Sequence, residues 1–201
     1  MAQVSDRIAG LLGASASLCW CVYQVDTALN NWNLQAVLFY VLHIQVAIFF
    51  ICRHRPIAKC DDIATCLICG ASLVGVYLVD FSAQSSGILA VFGEGVTFVG
   101  CMLSILAIAA LGKGFGVLPA FRRLASAGPY RIIRHPVYAG YALMDFGILL
   151  SYPRVDNMIV ILCNTAILIA RIQMEERLCA STTQYIVYLT QVRYRLIPGI
   201  Y

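Results

Sequence analysis

Six apolar stretches, joined by connections that alternate between bare and basic, leave this chain few folds to choose from. A helix that crosses the hydrocarbon of a bilayer needs about 20 mostly apolar residues. Four stretches approach that length: Ile8–Val25, Trp32–Cys52, Ile63–Phe81 and Ile88–Leu111. Two shorter ones follow, Val137–Leu150 and Met158–Ile172, with the turn-forming SYPRVDN (Ser151–Asn157) between them. They read as a tilted hairpin, or as helices that partly line a cavity. Charged residues make up 12% of the 201, against about 25% in soluble domains. The fold class expected is therefore an all-α membrane protein of one domain, residues 1–201, with about six transmembrane helices, the last two short and hairpin-like. Met1–Asp6 lacks the basic start of a cleavable signal peptide.

The connections suggest an orientation, because short loops on the cytoplasmic side carry an excess of Lys and Arg. Asp26–Asn31 and Ser82–Gly87 contain neither. RHRPIAK (Arg53–Lys59) carries three and Gly112–Pro136 carries five. Six spans with both termini in the cytoplasm reproduce that alternation, and put the basic connections on one face. The charge is also split along the chain. Residues 1–111 hold four Lys/Arg and six Asp/Glu, whereas residues 112–201 hold ten and four. Nucleic acid is a poor partner for that basic half, since the charges flank apolar spans. A membrane surface or an anionic ligand suits it better.

Nine cysteines are present, most inside apolar stretches. Cys66 and Cys69 form a C-x-x-C, but no second pair follows at metal-ligand spacing, so no metal site is expected. They read as small hydrophobic residues of a membrane core. In the tail, Ser181 and Gln184 have capping-box spacing. Tyr185, Tyr188, Leu189 and Val192 then repeat at helical intervals, which predicts a short amphipathic helix.

Polar residues gather in three places on the basic face: the Gly-rich loop Leu111–Pro119, the segment Gly128–Tyr138, and the end of the last span with its tail. Arg171 and Glu175 are spaced to pair on one helix face, and Glu176 points about 100° away toward another partner. Arg134 and Arg195 offer forked donors suited to a carboxylate or phosphate. Plainer readings stand beside these. Helix-end arginines such as Arg122 and Arg123 snorkel to headgroups, His135 can cap a carbonyl, and Pro136 suits the first turn of a helix. Tyr130, Tyr138, Tyr185 and Tyr188 can form an interfacial belt. Asp80 and Glu94 sit near span ends, where exposure explains them. Asp145 differs, because an ionisable residue inside a span is a functional candidate by default; Lys113 is one partner it could have.

The combination of LGKGFGVLP, AGPYRIIRHPVYAGY, EERL and QYIVYLTQVRYRLIPGIY, over Leu111–Tyr201, resembles the integral-membrane methyltransferases related to isoprenylcysteine carboxyl methyltransferase and the phospholipid methyltransferases. The resemblance implies a four-helix membrane part over 1–111 and a cofactor-binding catalytic part over 112–201. It implies S-adenosylmethionine as cofactor, lined by His135, Pro136, Tyr138 and Gly140, with Glu175 or Glu176 meeting its ribose or amino group. Tyr185 and Tyr188 would close the tail over it, while Arg134 and Arg195 would orient the acceptor. Relatives often carry Phe-Gly before the tail tyrosines, where this chain has STT. The implied partners are a lipophilic or lipidated acceptor and the bilayer, with the active site facing the cytoplasm and the first four spans shaping the acceptor's pocket. Two other readings compete. NADPH-dependent membrane sterol reductases share R-H-P-x-Y but usually carry Asn at the position of Val137 and are about twice as long. A non-catalytic lipid-binding protein is the third.

Overall fold

The computed structural model describes residues 2–23, 34–54, 58–59, 62–82, 84–116, 120–121 and 124–200. The bare connection Asp26–Asn31, Arg122 and Arg123, and residues 117–119 of the Gly-rich loop lie outside them. Seven α-helices occur among the described residues: α1 (Ala2–Tyr23), α2 (Leu34–Cys52), α3 (Ile63–Val74), α4 (Ile88–Leu111), α5 (Pro136–Ser151), α6 (Val155–Cys179) and α7 (Thr183–Gln191). A two-residue antiparallel ladder, Ala58–Lys59 against Ala120–Phe121, joins two connections.

Each of the six apolar stretches is thus helical over most of its described residues, and two of the helices, Ile88–Gly114 with the 3₁₀ extension of α4 and Val155–Cys179, are long and apolar enough to cross a membrane. In their most apolar windows only 33% and 28% of residues are buried. The core helix of a soluble protein would be mostly covered. Here Ile88, Val91 and Phe92 of α4 and Met158, Ile159 and Leu162 of α6 lie exposed, which suits a lipid surround. The expected short hairpin is corrected at its second arm. α5 has 16 residues, but α6 has 25, because the helix continues beyond Ile172 through its charged end instead of stopping where the apolar run does. α3 is shorter than its apolar stretch, ending in a 3₁₀ turn at Gly75–Leu78. Its start is fixed by Asp62, whose carboxylate accepts from the Thr65 N–H at 2.9 Å.

The tightest helix contact is between α4 and α5, and the sequence permits it through small residues. A Cβ on Gly140 would lie 2.7 Å from the Gly100 carbonyl oxygen and collide with the Ser104 hydroxyl. One on Gly147 would lie 2.6 Å from the Gly93 carbonyl oxygen. With these glycines and Thr97 and Ser104 in register, the two backbones approach as closely as membrane helices do. α2 joins this pair where Gln45 donates to the Ile105 carbonyl at 3.1 Å.

At the other end, Asn157 ties three segments together. It is fully buried. Its amide donates to the carbonyls of Asp80 and Tyr152 at 2.9 and 3.1 Å, and its oxygen accepts from the Asp80 N–H at 2.8 Å. Asp80, expected to be merely exposed, pairs with Arg154 at 3.2 Å. Asn157→Ala is expected to orphan these buried backbone groups, costing about 3 kcal/mol. Thermal unfolding in detergent should show a melting temperature lower by roughly 6–12 °C.

Cys69 and Cys101 are fully buried in the core, as their expected role as small apolar residues requires, while Cys66 is exposed.

Candidate active site

The segment before α5 is extended for a local reason. Pro136 occupies the first turn of α5, where its missing N–H costs nothing, and a proline disfavours helical backbone in the residue before it. His135 accordingly has φ −126° and ψ 60°. The N–H groups of Arg134 and His135 therefore need partners outside the helix. They donate to the carbonyls of Tyr194 and Arg195, each at 2.9 Å, and Ile133 forms a parallel bridge with Tyr194. The tail is thus stitched by its backbone to the R-H-P segment.

α7 holds the tail in place from its other side. Tyr185 and Tyr188 form its buried face, and the Tyr188 hydroxyl donates to the Tyr130 carbonyl at 2.7 Å. Burial pushes the Tyr188 phenol up to about 12 and raises Tyr185 and Tyr130 as well. All three stay protonated at neutral pH and available as donors. The expected capping box is not formed. Thr182 is the N-cap residue and makes no side-chain cap, because the Ser181 hydroxyl donates backward to the Leu178 carbonyl at 2.8 Å.

The adjacent carboxylates Glu175 and Glu176 leave α6 on different faces and have different partners. Glu176 is held between cations. One oxygen meets Arg134 Nη1 at 2.7 Å and His135 Nε2 at 3.3 Å; the other meets Arg195 Nε at 2.8 Å and Nη2 at 2.7 Å. Its side chain is 13% exposed and that of Arg134 14%. Arg134 also donates to the Arg193 carbonyl at 2.8 Å. Glu175 accepts from the Tyr138 hydroxyl, and its second oxygen lies 3.9 Å from His135 Nδ1. One turn earlier on α6, Arg171 stands 5.3 Å above the Tyr138 ring and donates to Ser72 Oγ at 2.8 Å.

These groups form one end of a cavity of about 350 Å³, the size range of small-ligand sites. Of the residues singled out in the sequence, Arg134, His135, Tyr138, Glu175, Tyr185 and Tyr188 line it. Pro136, Gly140, Glu176 and Arg195 stand behind that wall. Gly140 faces α4, and Glu176 with Arg195 braces the tail. The polar end gives way to an apolar body walled by α1, α2, α5 and α6, with Leu42, Phe50, Met144 and Ile148 among its residues. Trp20 and His43, which sequence reasoning left unremarked, also line it. The signal that could have found His43 was a lone ionisable side chain in an otherwise apolar helix.

Comparison with known proteins adds one finding. Residues 88–182 match the model of the phospholipid methyltransferase family. No curated protein gives a significant match. The matched stretch runs from the start of α4 to the residue before α7, so it contains the glycine contact, the R-H-P segment and both glutamates, and stops short of the tail tyrosines. The membrane-methyltransferase resemblance read from the sequence is thereby borne out: over residues 88–182 the chain is similar to the phospholipid methyltransferase family.

Proposed function

We propose that the protein transfers a methyl group from S-adenosylmethionine to a lipophilic acceptor, at the polar end of the cavity and on the cytoplasmic side of a membrane. The observation that carries this reading is the cavity itself, polar at one end and apolar along its body, in a chain whose α4–α6 segment matches a methyltransferase family. The residues at the polar end suit the cofactor. Arg134 Nε is a buried donor with no hydrogen-bond partner among the described residues, fitted to the carboxylate of an amino-acid moiety. Glu175 keeps an oxygen able to accept from an ammonium or from ribose hydroxyls. The face of Tyr185 can meet a cationic centre.

When bound, S-adenosylmethionine supplies an electrophilic methyl on a sulfonium, a chemistry that asks for alignment more than for a protein nucleophile. The chain's own residues would supply that alignment. Glu175, held by Tyr138, fixes one end of the ligand, and Arg134, held by Glu176, fixes the other. Tyr185 and Tyr188 cover the site and exclude water, which strengthens each of these charged contacts. Arg195 touches Glu176 and acts through it as a positioning residue. An acceptor dissolved in lipid would occupy the apolar body, while the water-soluble donor meets it at the mouth.

The protein purified in detergent is expected to bind S-adenosylmethionine in titration calorimetry and to show no binding of NADPH. It should also move a labelled methyl group into an extracted lipid fraction. Binding of NADPH alone would replace this reading with the reductase one, and binding of neither would leave a lipid-binding protein.

A further inference from the structure

We propose that the inner part of the cavity is a recognition subsite for a protonated amine carried by the methyl acceptor, about 10 Å from the group that receives the methyl. Asp145 lines the cavity on the same face of α5 as Tyr138. It lies seven residues further on, which is two helical turns or roughly 10 Å at 1.5 Å per residue. Among the described residues it has no hydrogen-bond or ion-pair partner, and Lys113, the partner the sequence offered, has an exposed side chain instead. The basic side chains that line the cavity near it in sequence, Arg134, His135 and Arg171, gather around Tyr138 and the two glutamates at the mouth. A carboxylate among apolar walls without a countercharge is costly, so a ligand that brings a cation gains most from this position.

Two other residues that line the cavity suit the same ligand. His43 Nδ1 lies 2.8 Å from the Phe39 carbonyl. A carbonyl oxygen can only accept, so Nδ1 carries the hydrogen, and in the neutral ring Nε2 presents a lone pair. The His43 ring stacks on Trp20, with centroids 4.0 Å apart and planes within 9°, and both line the cavity. The cavity thus offers a carboxylate, a ring nitrogen acceptor and an indole, all of which attract an ammonium. A purely hydrocarbon tail would leave each of them unmatched. The subsite rests on the methyl-transfer reading only in taking the amine to belong to the acceptor.

Trp20 supplies a readout that needs no turnover. The chain has two tryptophans, so Trp32→Phe leaves Trp20 as sole reporter. In that background, 2-phenylethylamine, 2-phenylethanol and propylbenzene are titrated against Trp20 fluorescence, with S-adenosylmethionine calorimetry on the same samples. The amine is expected to bind at least tenfold more tightly than propylbenzene. Asp145→Asn should abolish that preference, and His43→Phe, which keeps a ring against Trp20, should reduce it less. Equal affinity for amine and hydrocarbon, tighter binding of the alcohol than of the amine, or an unchanged preference in Asp145→Asn would each overturn the proposal. Should Asp145→Asn fail to fold, the ligand series on the parent and on His43→Phe decides alone. Loss of S-adenosylmethionine binding in the parent protein would instead count against the methyl-transfer reading, so the two failures are separable.

Discussion

Glu176→Ala detaches the tail. The carboxylate is buried between Arg134 and Arg195, with His135 on the same oxygen as Arg134. Removing it leaves two guanidiniums facing one another with no anion between them. Breaking a buried ion pair by deleting one partner costs about 3–5 kcal/mol. Arg195, whose side chain is 36% exposed, is partly screened by solvent, so the lower value, about 3 kcal/mol, is the expected one. Melting in detergent should fall by roughly 6–12 °C, and limited proteolysis should newly cut the chain after Cys179. Glu176→Gln should lose less, since it keeps an acceptor for one arginine. A tail that stays protected at unchanged melting temperature would show that the backbone stitch between Ile133–His135 and Tyr194–Arg195 suffices without the charges.

Glu175→Ala, one residue away, is expected to do the opposite. This carboxylate faces the cavity and its one strong partner is the Tyr138 hydroxyl. Losing a hydrogen bond to a charged group costs about 1.5–3 kcal/mol, or roughly 10- to 100-fold in affinity. The Kd for S-adenosylmethionine should rise by that factor while melting changes little, because the Tyr138 hydroxyl turns to ligand or water. Tyr138→Phe should weaken binding only a few-fold, since the carboxylate remains. If Glu175→Ala binds the cofactor like the parent, the ligand's cationic or hydroxyl groups are held elsewhere.

The contrast between these neighbours was half visible in the sequence. Their 100° separation on a helix is dictated by spacing alone, as is the helical nature of each apolar stretch and the start of α5 at Pro136. The family resemblance assigns Arg134, His135, Tyr138 and the tail tyrosines to one site. It could not divide the labour among them, because the division depends on backbone pairing between segments about 60 residues apart. Arg134 and Arg195 look alike as forked donors, yet Arg134 lines the cavity and Arg195 stands behind it. Gly140 looked like a cofactor contact in a motif, whereas its lack of a Cβ is what admits Ser104 and Gly100 of α4. Asn157 gave no signal, since a single amide in a turn says nothing of the three backbone groups it joins. The charged extension of α6 was missed because hydropathy reports where lipid contact ends, and a helix can outlast it.

The glycine contact also sets a length standard. α5 is pressed backbone to backbone against α4, so it cannot slide or rotate without driving Gly140 or Gly147 into a carbonyl oxygen. His135, Tyr138 and Asp145 therefore keep fixed intervals along one rigid wall, as graduations on a rule do, while the glycines of α1, Gly10 and Gly13, seat it on α2 and not on α5. Molecules of differing width can be admitted by the other walls yielding. Molecules of differing reach cannot, so this protein should discriminate among acceptors by the distance between their ends before it does so by their bulk.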